Sequence, residues 1–448
     1  MADELLAIAE RVAAQAGTGE QVEAYVARTR DTDVKVFDGE VESLSSAETE
    51  GVGVRVVQGS RQGFAYAGSL DADAVAEALA EARDNAGFGS EDEYLGLPEP
   101  DDVPAVQLDL YRADLAQVAA DDKVALALEV ERATRAADGR IRGVETAEYG
   151  DAAVEAAVAS SMGVRAHVRR TVCSVYAYAL AGEGAETQTG YGYDVGRHPD
   201  ELDVGKAAGM AAERATQMLG AKQPASRKIN VVLDPLVTAQ FLGVLSAALS
   251  GEAVLKGRSM FADRVGEPVA ASRFTLTDDP TNAEAFGASP FDAEGLATRR
   301  NVLVQDGVLL GFLHDTYSGR RSGTASTGSA VRAGFKSTPG VGARALSLVP
   351  GDKSQETLLA EVGEGLLVRS AIGLHSGANP VSGDFSVGVE GLMIRDGAVA
   401  EPVREATVAS TLQRMLKDVT AVGSDLEWLP GSAAGVTVVI GDVSLSGS

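Results

Sequence analysis

The sequence predicts an α+β fold, with an N-terminal half of antiparallel strands covered by helices and a C-terminal β-rich domain with a few helices. Three observations carry this. Strand-like runs come in consecutive groups closed by Gly and Asp turns instead of alternating singly with helices, which implies hairpins and antiparallel pairing. Alanine-rich segments with one apolar stripe follow those groups, the pattern of helices that cover one face of a sheet. After about residue 225 the chain changes to many short β-runs separated by Gly, Pro and Asp-Gly (306–307 and 396–397).

At 448 residues the chain is about three times a domain of roughly 150. The acidic stretch from Phe88 to Pro104, with its glycines and prolines, and the segment Gln223-Pro224-Ala225-Ser226 mark the expected boundaries. They give an N-terminal α+β domain (1–104), a middle α+β domain (105–224) and a C-terminal β-rich domain (225–448).

In chain order, Leu5, Leu6, Ile8, Ala9 and Val12 stand at helical spacing before the breaker Gly17-Thr18-Gly19. Val22–Ala27, Val34–Val41, Gly51–Val57 and Gly63–Ala67 then read as strands, with Asp38-Gly39 a hairpin signal. Ser69-Leu70-Asp71 opens a helix to Ala86, with Val75, Leu79 and Ala82 on one stripe and Gly87 as its stop. The middle segment repeats the theme. A helix over Asp121–Ala137 precedes strand-like runs at Val144–Tyr149, Ala153–Ser160, Gly163–Val168 and Cys173–Ala181, and another alanine-rich helix spans about 203–219.

Gly53-Val54-Arg55-Val56 before Phe64-Ala65-Tyr66-Ala67 is echoed by Gly163-Val164-Arg165-Ala166 before Val175-Tyr176-Ala177-Tyr178. A duplicated strands-then-helix unit explains the echo; generic strand composition explains it as well. Beyond the second boundary, Lys228–Leu233 reads as a buried strand. Asp234-Pro235 is the N-cap and first residue of a helix to about Leu249, and a last helix is expected near Val408–Val419.

Lys plus Arg number 39 against 65 Asp plus Glu, so the formal charge is −26. Such a field repels phosphate backbones and anionic lipid, so no direct nucleic-acid or membrane partner is expected. The single cysteine, Cys173, cannot form an intrachain disulfide and sits in an apolar strand pattern, where it reads as a buried inert thiol. The start Met1-Ala2-Asp3-Glu4-Leu5 has no basic region before an apolar one, and the longest apolar runs are strand-sized. A cytoplasmic address is the expectation.

Familiar catalytic motifs are not found. The four histidines, His167, His198, His314 and His375, are far apart in sequence, and no H-E-x-x-H or C-x-x-C occurs. No serine has glycine at both −2 and +2, and no phosphate-binding glycine loop opens a helix. Two segments exceed what packing alone asks for: Gly311-Phe312-Leu313-His314-Asp315-Thr316-Tyr317 running into the hydroxyl-rich Ser322 to Arg332, and Leu374 to Gly388. Small residues there admit a second backbone, and adjoining strand runs offer an edge for an extended peptide; paired structural turns are the other reading.

The run His375-Ser376-Gly377-Ala378-Asn379-Pro380-Val381-Ser382-Gly383-Asp384-Phe385-Ser386-Val387-Gly388 resembles the H-S-G-x-N-P-x-S-G-D-F-S-x-G signature of the TldD/PmbA family, formerly called modulators of DNA gyrase. Val389 to Ile394, Asp396-Gly397 and Gly423-Ser424-Asp425-Leu426 extend the resemblance, which reaches from about Val22 to Gly441. In TldD-type members the helix after a strand like Ile229–Leu233 carries H-E-x-x-x-H, and a cysteine near the C-terminus completes the zinc site. Alignment through Ser250-Gly251-Glu252 places Leu242, Gly243 and Ala247 at the first histidine, the glutamate and the second histidine, and Trp428 to Gly435 lacks the cysteine.

The resemblance therefore points to the TldE/PmbA branch. It implies a metal-free subunit of a heteromeric zinc protease, with zinc held by a TldD-like partner and unfolded polypeptides or leader peptides as substrates. It also implies that His314, Asp315, His375, Ser376, Asn379, Ser382, Gly383, Asp384 and Phe385 border the substrate cleft. Two rivals stand beside this reading. One is a self-sufficient peptidase with a metal between His314, His375 and Asp315 or Asp384. The other is a homomeric protein, such as a homodimer, that binds peptides or proteins without cutting them.

Overall fold

The structure, a computed structural model, describes residues 2–447. Its N-terminal half is built twice from a helix, three strands and a helix. The first unit comprises α1 (Ala2–Ala13), β1 (Glu20–Phe37), β2 (Glu40–Gln58), β3 (Arg61–Ala67) and α2 (Ala72–Phe88). The second comprises α3 (Ala120–Ala137), β4 (Ile141–Ser160), β5 (Arg165–Ala181), β6 (Gln188–Gly196) and α4 (Val204–Gln217). All these strands form one antiparallel six-stranded sheet in the order β3-β2-β1-β4-β5-β6. Residues 1–104 and 105–224 thus give three strands each to a single layer, joined where β1 pairs with β4.

Strand alternation assigns the two faces of this sheet. Val22, Ala24 and Val26 of β1 pack beneath α1 and α2, and Val34 and Val36 beneath α3 and α4, so all four helices cover the same face. The intervening residues Glu23, Tyr25 and Ala27 point the other way, toward Phe335, Leu296 and Glu294 of the C-terminal domain. On β2 the same rule buries Val52, Val54 and Val56 under helices and turns Arg55 to the opposite face.

The strands are longer than the sequence suggests. Val22–Ala27 and the start of Val34–Val41 belong to one 18-residue strand, β1, and the turn at Asp38-Gly39 cuts the second run. Polar residues continue the strand because they pair across it: Arg28 opposite Glu50 and Arg30 opposite Glu48, with contacts of 2.8 and 2.7 Å. The hairpin is as expected, with φ of 54° at Asp38 and 80° at Gly39. In the second unit β4 and β5 each run unbroken through two of the shorter expected strands, and β6 was not expected at all.

The two units correspond, but not through the sequence echo. Phe64–Ala67 lies on the third strand of its unit, whereas Val175–Tyr178 lies on the second. The matching feature is glycine beneath the alanine-rich helix. A Cβ at Gly63 would lie 2.0 Å from the Ala82 carbonyl oxygen of α2, and one at Gly192 would lie 2.0 Å from the Ala207 carbonyl oxygen of α4.

The C-terminal domain centres on a curved sheet. Strand 398–411 pairs with 384–395, which pairs with 365–372, then β7 (Arg227–Leu233) and 438–446. Pairing of Thr407, Val408 and Ala409 with Ser446, Leu445 and Ser444 closes it into a barrel. After β7, Asp234 accepts from the Leu236 N–H and Pro235 occupies the first turn of α5 (Pro235–Ala248). The last helix is shorter than expected. Residues 408–411 stay in the strand because they pair with 384–387, Val408 and Ala409 also with Leu445 and Ser444, and the helix covers only Leu412–Lys417, capped by Thr411. Among the described residues no helix is long and apolar enough to cross a membrane.

Candidate functional site

Helix α5 is the element on which the resemblance places the zinc motif. Its buried face comprises Val237, Thr238, Phe241, Leu242, Leu245 and Ala248, so Leu242 is sealed in the core. Gly243 and Ala247 lie exposed on the other side, and a Cβ at Gly243 would meet nothing within 4 Å. None of the three side chains has an atom that binds a metal or carries a proton. Among the described residues no three His, Cys, Asp or Glu side chains gather into a group that could hold a metal ion. His314, His375, Asp315 and Asp384 are included in that statement, so the metal site of the self-sufficient rival is not assembled. The donor set does not fit zinc.

His314 and Asp315 do structural work. The His314 N–H donates to Thr327 Oγ1 at 2.8 Å, the ring Nδ1 lies 3.3 Å from Ser318 Oγ, and the ring packs on Gly251. A Cβ on Gly251 would lie 2.2 Å from two ring atoms, so glycine there is what admits the imidazole. Burial holds His314 below the ordinary histidine value, which favours the neutral ring. Asp315 is an N-cap. Its Oδ1 accepts from the Ser318 N–H at 2.8 Å and the Ser318 hydroxyl at 2.6 Å, starting the helix Thr316–Arg321.

The second segment is an exposed loop pinned at its ends. Asn379 Oδ1 accepts from the Val381 and Ser382 N–H groups at 2.9 and 3.2 Å, and the Ser382 hydroxyl donates to Asp384 Oδ2 at 2.7 Å. Gly383 has φ of 85° and lies against the Gln413 side chain, and its carbonyl accepts from the Leu412 N–H at 2.7 Å. Phe385 turns inward, with its ring edge-on to Phe241 of α5 at 6.1 Å. His375, Ser376, Asn379, Ser382 and Asp384 are left exposed. Phe385 thus anchors a polar loop directly to the helix that bears Leu242, Gly243 and Ala247.

Models of the PmbA/TldA metallopeptidases match the chain in three successive parts: domain 1 over residues 22–86, the central domain over 113–219 and the C-terminal domain over 226–447. The chain belongs to the PmbA/TldD family. It is 27% identical over 436 residues to the metalloprotease PmbA of Escherichia coli O157:H7, covering 96% of this chain and 93% of that protein. It is also 27% identical over 426 residues to a metalloprotease of Methanothermobacter thermautotrophicus, covering 92% and 90%. A solved modulator-of-DNA-gyrase protein of Bacteroides thetaiotaomicron has a TM-score of 0.89 at 28% identity, covering 100% of this chain and 99% of that one. TldE of Thermococcus kodakarensis shares the fold with a TM-score of 0.88 at 24% identity, covering 100% of each chain.

One feature of this PmbA/TldD family chain escaped sequence reasoning. Glu23, Arg55, Glu294 and Arg332 form a buried charge cluster between the N-terminal sheet and the C-terminal domain. Arg55 Nη2 lies 2.6 Å from Glu23 and 3.1 Å from Glu294, and Arg332 Nη2 lies 2.6 Å from Glu23. Glu294 also accepts from the Thr316 N–H at 2.9 Å, which ties the His314–Asp315 segment to the cluster. Burial opposes ionisation of Glu23, but Arg55 and Arg332 outweigh it and hold its carboxyl below the usual value.

Proposed function

We propose that this chain is the metal-free, TldE/PmbA-like subunit of a heteromeric zinc metalloprotease that trims unfolded polypeptides or leader peptides. What supports the reading is α5: the resemblance puts the zinc motif on this helix, at Leu242, Gly243 and Ala247, none of which supplies a ligand or a base. The names of its relatives, metalloprotease and TldE, support the assignment to a proteolytic system. In this reading zinc would be held by a TldD-like partner and would supply Lewis-acid chemistry at the scissile carbonyl and the attacking water. This chain positions the substrate.

A sheet edge suited to that task is present. β3 pairs with β2 only from Val52 to Gln58, so the outer edge of β2 from Glu40 to Glu50 has no strand beside it among the described residues. Its main-chain N–H and C=O groups are available for strand addition by a partner or a substrate.

The test is zinc content and hydrolysis of an unfolded peptide by the purified chain, by a TldD-like protein from the same source, and by their mixture. Zinc and cleavage are expected in the mixture, with this chain co-eluting with the TldD-like subunit. Stoichiometric zinc and cleavage by this chain alone sink the proposal. A stable homodimer that never takes up the TldD-like chain also sinks it and favours a homomeric binding protein.

A further inference from the structure

The helix-free face of the N-terminal sheet does not meet the C-terminal domain everywhere. A cavity of about 120 Å³ remains between β1, β4 and β5 on one side and segment 288–293 with Arg332 and Arg344 on the other. Alternation on β5 places Cys173 and Val175 under the helices and aims Arg170 at this cavity. Arg169, exposed and stacked 4.4 Å from the Tyr111 ring, also lines it, so the cavity opens to solvent on that side.

Its polar groups are mismatched in sign. The Arg332 side chain is 1% exposed, and its Nη2 is engaged by Glu23 and the Ala293 carbonyl, but Nε and Nη1 are buried with no acceptor. Arg344 makes only a 3.4 Å contact from Nη2 to the Ala330 carbonyl and leaves Nε without a partner. Asp278 takes the main-chain N–H of Arg344, not its guanidinium. Burial pushes the Arg170 guanidinium down and Arg344 beside it pushes the same way, with no carboxylate opposing them.

The one carboxylate on the cavity wall is Asp292, and its oxygens are taken by the N–H groups of Glu294, Leu296 and Ala330 at 2.9, 3.0 and 3.2 Å. Of the three arginines only Arg332 meets a carboxylate, Glu23, with its guanidinium also stacked 4.6 Å from the Tyr25 ring, and both Arg332 and Arg344 keep buried N–H donors without an acceptor, in a chain with 65 acidic residues. Buried N–H groups of native proteins find acceptors, and the guanidinium fork matches the two oxygens of a carboxylate or phosphate.

We propose that this cavity is a binding site for a small oxyanion, a carboxylate or a phosphate, held by Arg170, Arg332 and Arg344. It is independent of the subunit reading, because this chain alone binds the ligand. Inorganic phosphate, acetyl-trialanine with a free carboxyl terminus, and the amide of that peptide serve as probes, titrated calorimetrically into the full-length chain at constant ionic strength. Either phosphate or the free-acid peptide is expected to bind, and the amide is not. Arg170→Gln and Arg344→Gln are each expected to weaken binding about tenfold or more, the loss of one charge-assisted contact.

Binding of phosphate alone identifies a free inorganic anion as the ligand, and binding of the acid peptide identifies a polypeptide terminus or acidic side chain. Thermal unfolding of the unmodified chain gives a second readout that survives a misfolded variant: whichever anion binds is expected to raise the midpoint above that in chloride, and the amide is not. The proposal is overturned if neither anion binds and the midpoint does not move, or if acid and amide bind alike and both variants bind as the parent does.

Discussion

At the scale of single residues, the acids that matter to stability are those the fold keeps away from water. Asp278 is wholly buried; its Oδ1 accepts from the Arg344 and Ala345 N–H groups at 2.9 and 2.7 Å, while Oδ2 has no partner. Burial pushes its carboxyl up to about 6 from 3.8. Between those values the folded chain keeps a proton that the unfolded chain has lost, so the stabilisation is full below about pH 4 and is withdrawn as pH rises through about 6. Asp278→Asn keeps the accepting oxygen and cannot titrate. Relative to that variant, the parent is expected to lose on the order of 2–3 kcal/mol between pH 4 and pH 7, measured by urea unfolding at both values. Parallel pH profiles of parent and variant contradict this account.

The same scale explains what was readable of the candidate site. His375 to Phe385 are consecutive, and their small and polar residues announce a special turn. Arg170, Arg332 and Arg344 are separated by long stretches of chain, and only the packing of the sheet against the C-terminal domain brings them to one cavity. His314 and Asp315 looked like chemistry because an N-cap and a packed imidazole use the same residue types as a catalytic site.

At the scale of elements, the hairpin at Asp38-Gly39 and α2, α3 and α5 were legible because turns, apolar stripes and the Asp234 cap of α5 are local signals; Gly87, read as the stop of α2, lies inside that helix, which runs to Phe88 with Gly89 as its C-cap. β6 was not. Thr189-Gly190-Tyr191-Gly192-Tyr193 carries no apolar run to mark a strand, and its glycines are the floor on which α4 rests: Cβ atoms there would meet the backbone of Ala211, Ala215 and Ala207 at 2.0 to 2.4 Å. Gly192→Ala is therefore expected to cost about 1–3 kcal/mol, since a helix backbone cannot yield as a side-chain tip can. Gly209→Ala, on the exposed side of α4 with nothing within 4 Å of the new Cβ, serves as the opposite case. It is expected to stabilise by about 0.5–1 kcal/mol through helix propensity alone. Thermal unfolding of the two variants reads both signs, and equal shifts in one direction would discount the close helix–strand approach.

At the scale of the whole molecule, two bodies with separate cores meet across a contact that is apolar at Phe335 and Leu296 and charged beside them. The N-terminal sheet has its own apolar clusters under the helices, and the barrel with α5 has another. Between them Glu23 and Arg55 from the sheet meet Glu294 and Arg332 from the C-terminal domain, all with side chains no more than 7% exposed. Arg55 bridges the two carboxylates; burial works against its charge, and Glu23 and Glu294 outweigh that and raise its pKa. Removing it leaves Glu294 facing only the Thr316 N–H and leaves Glu23 with Arg332 alone. Arg55→Met preserves much of the side-chain volume and deletes the charge, so it is expected to cost about 3–5 kcal/mol, the range for breaking a buried ion pair on one side. Because the loss falls at the junction and spares both cores, calorimetry is expected to split one transition of the parent into two in the variant. A single transition at the parent's midpoint would mean that Gly51, Gly53 and Phe335, which meet in apolar contact beside the cluster, are what join the two bodies.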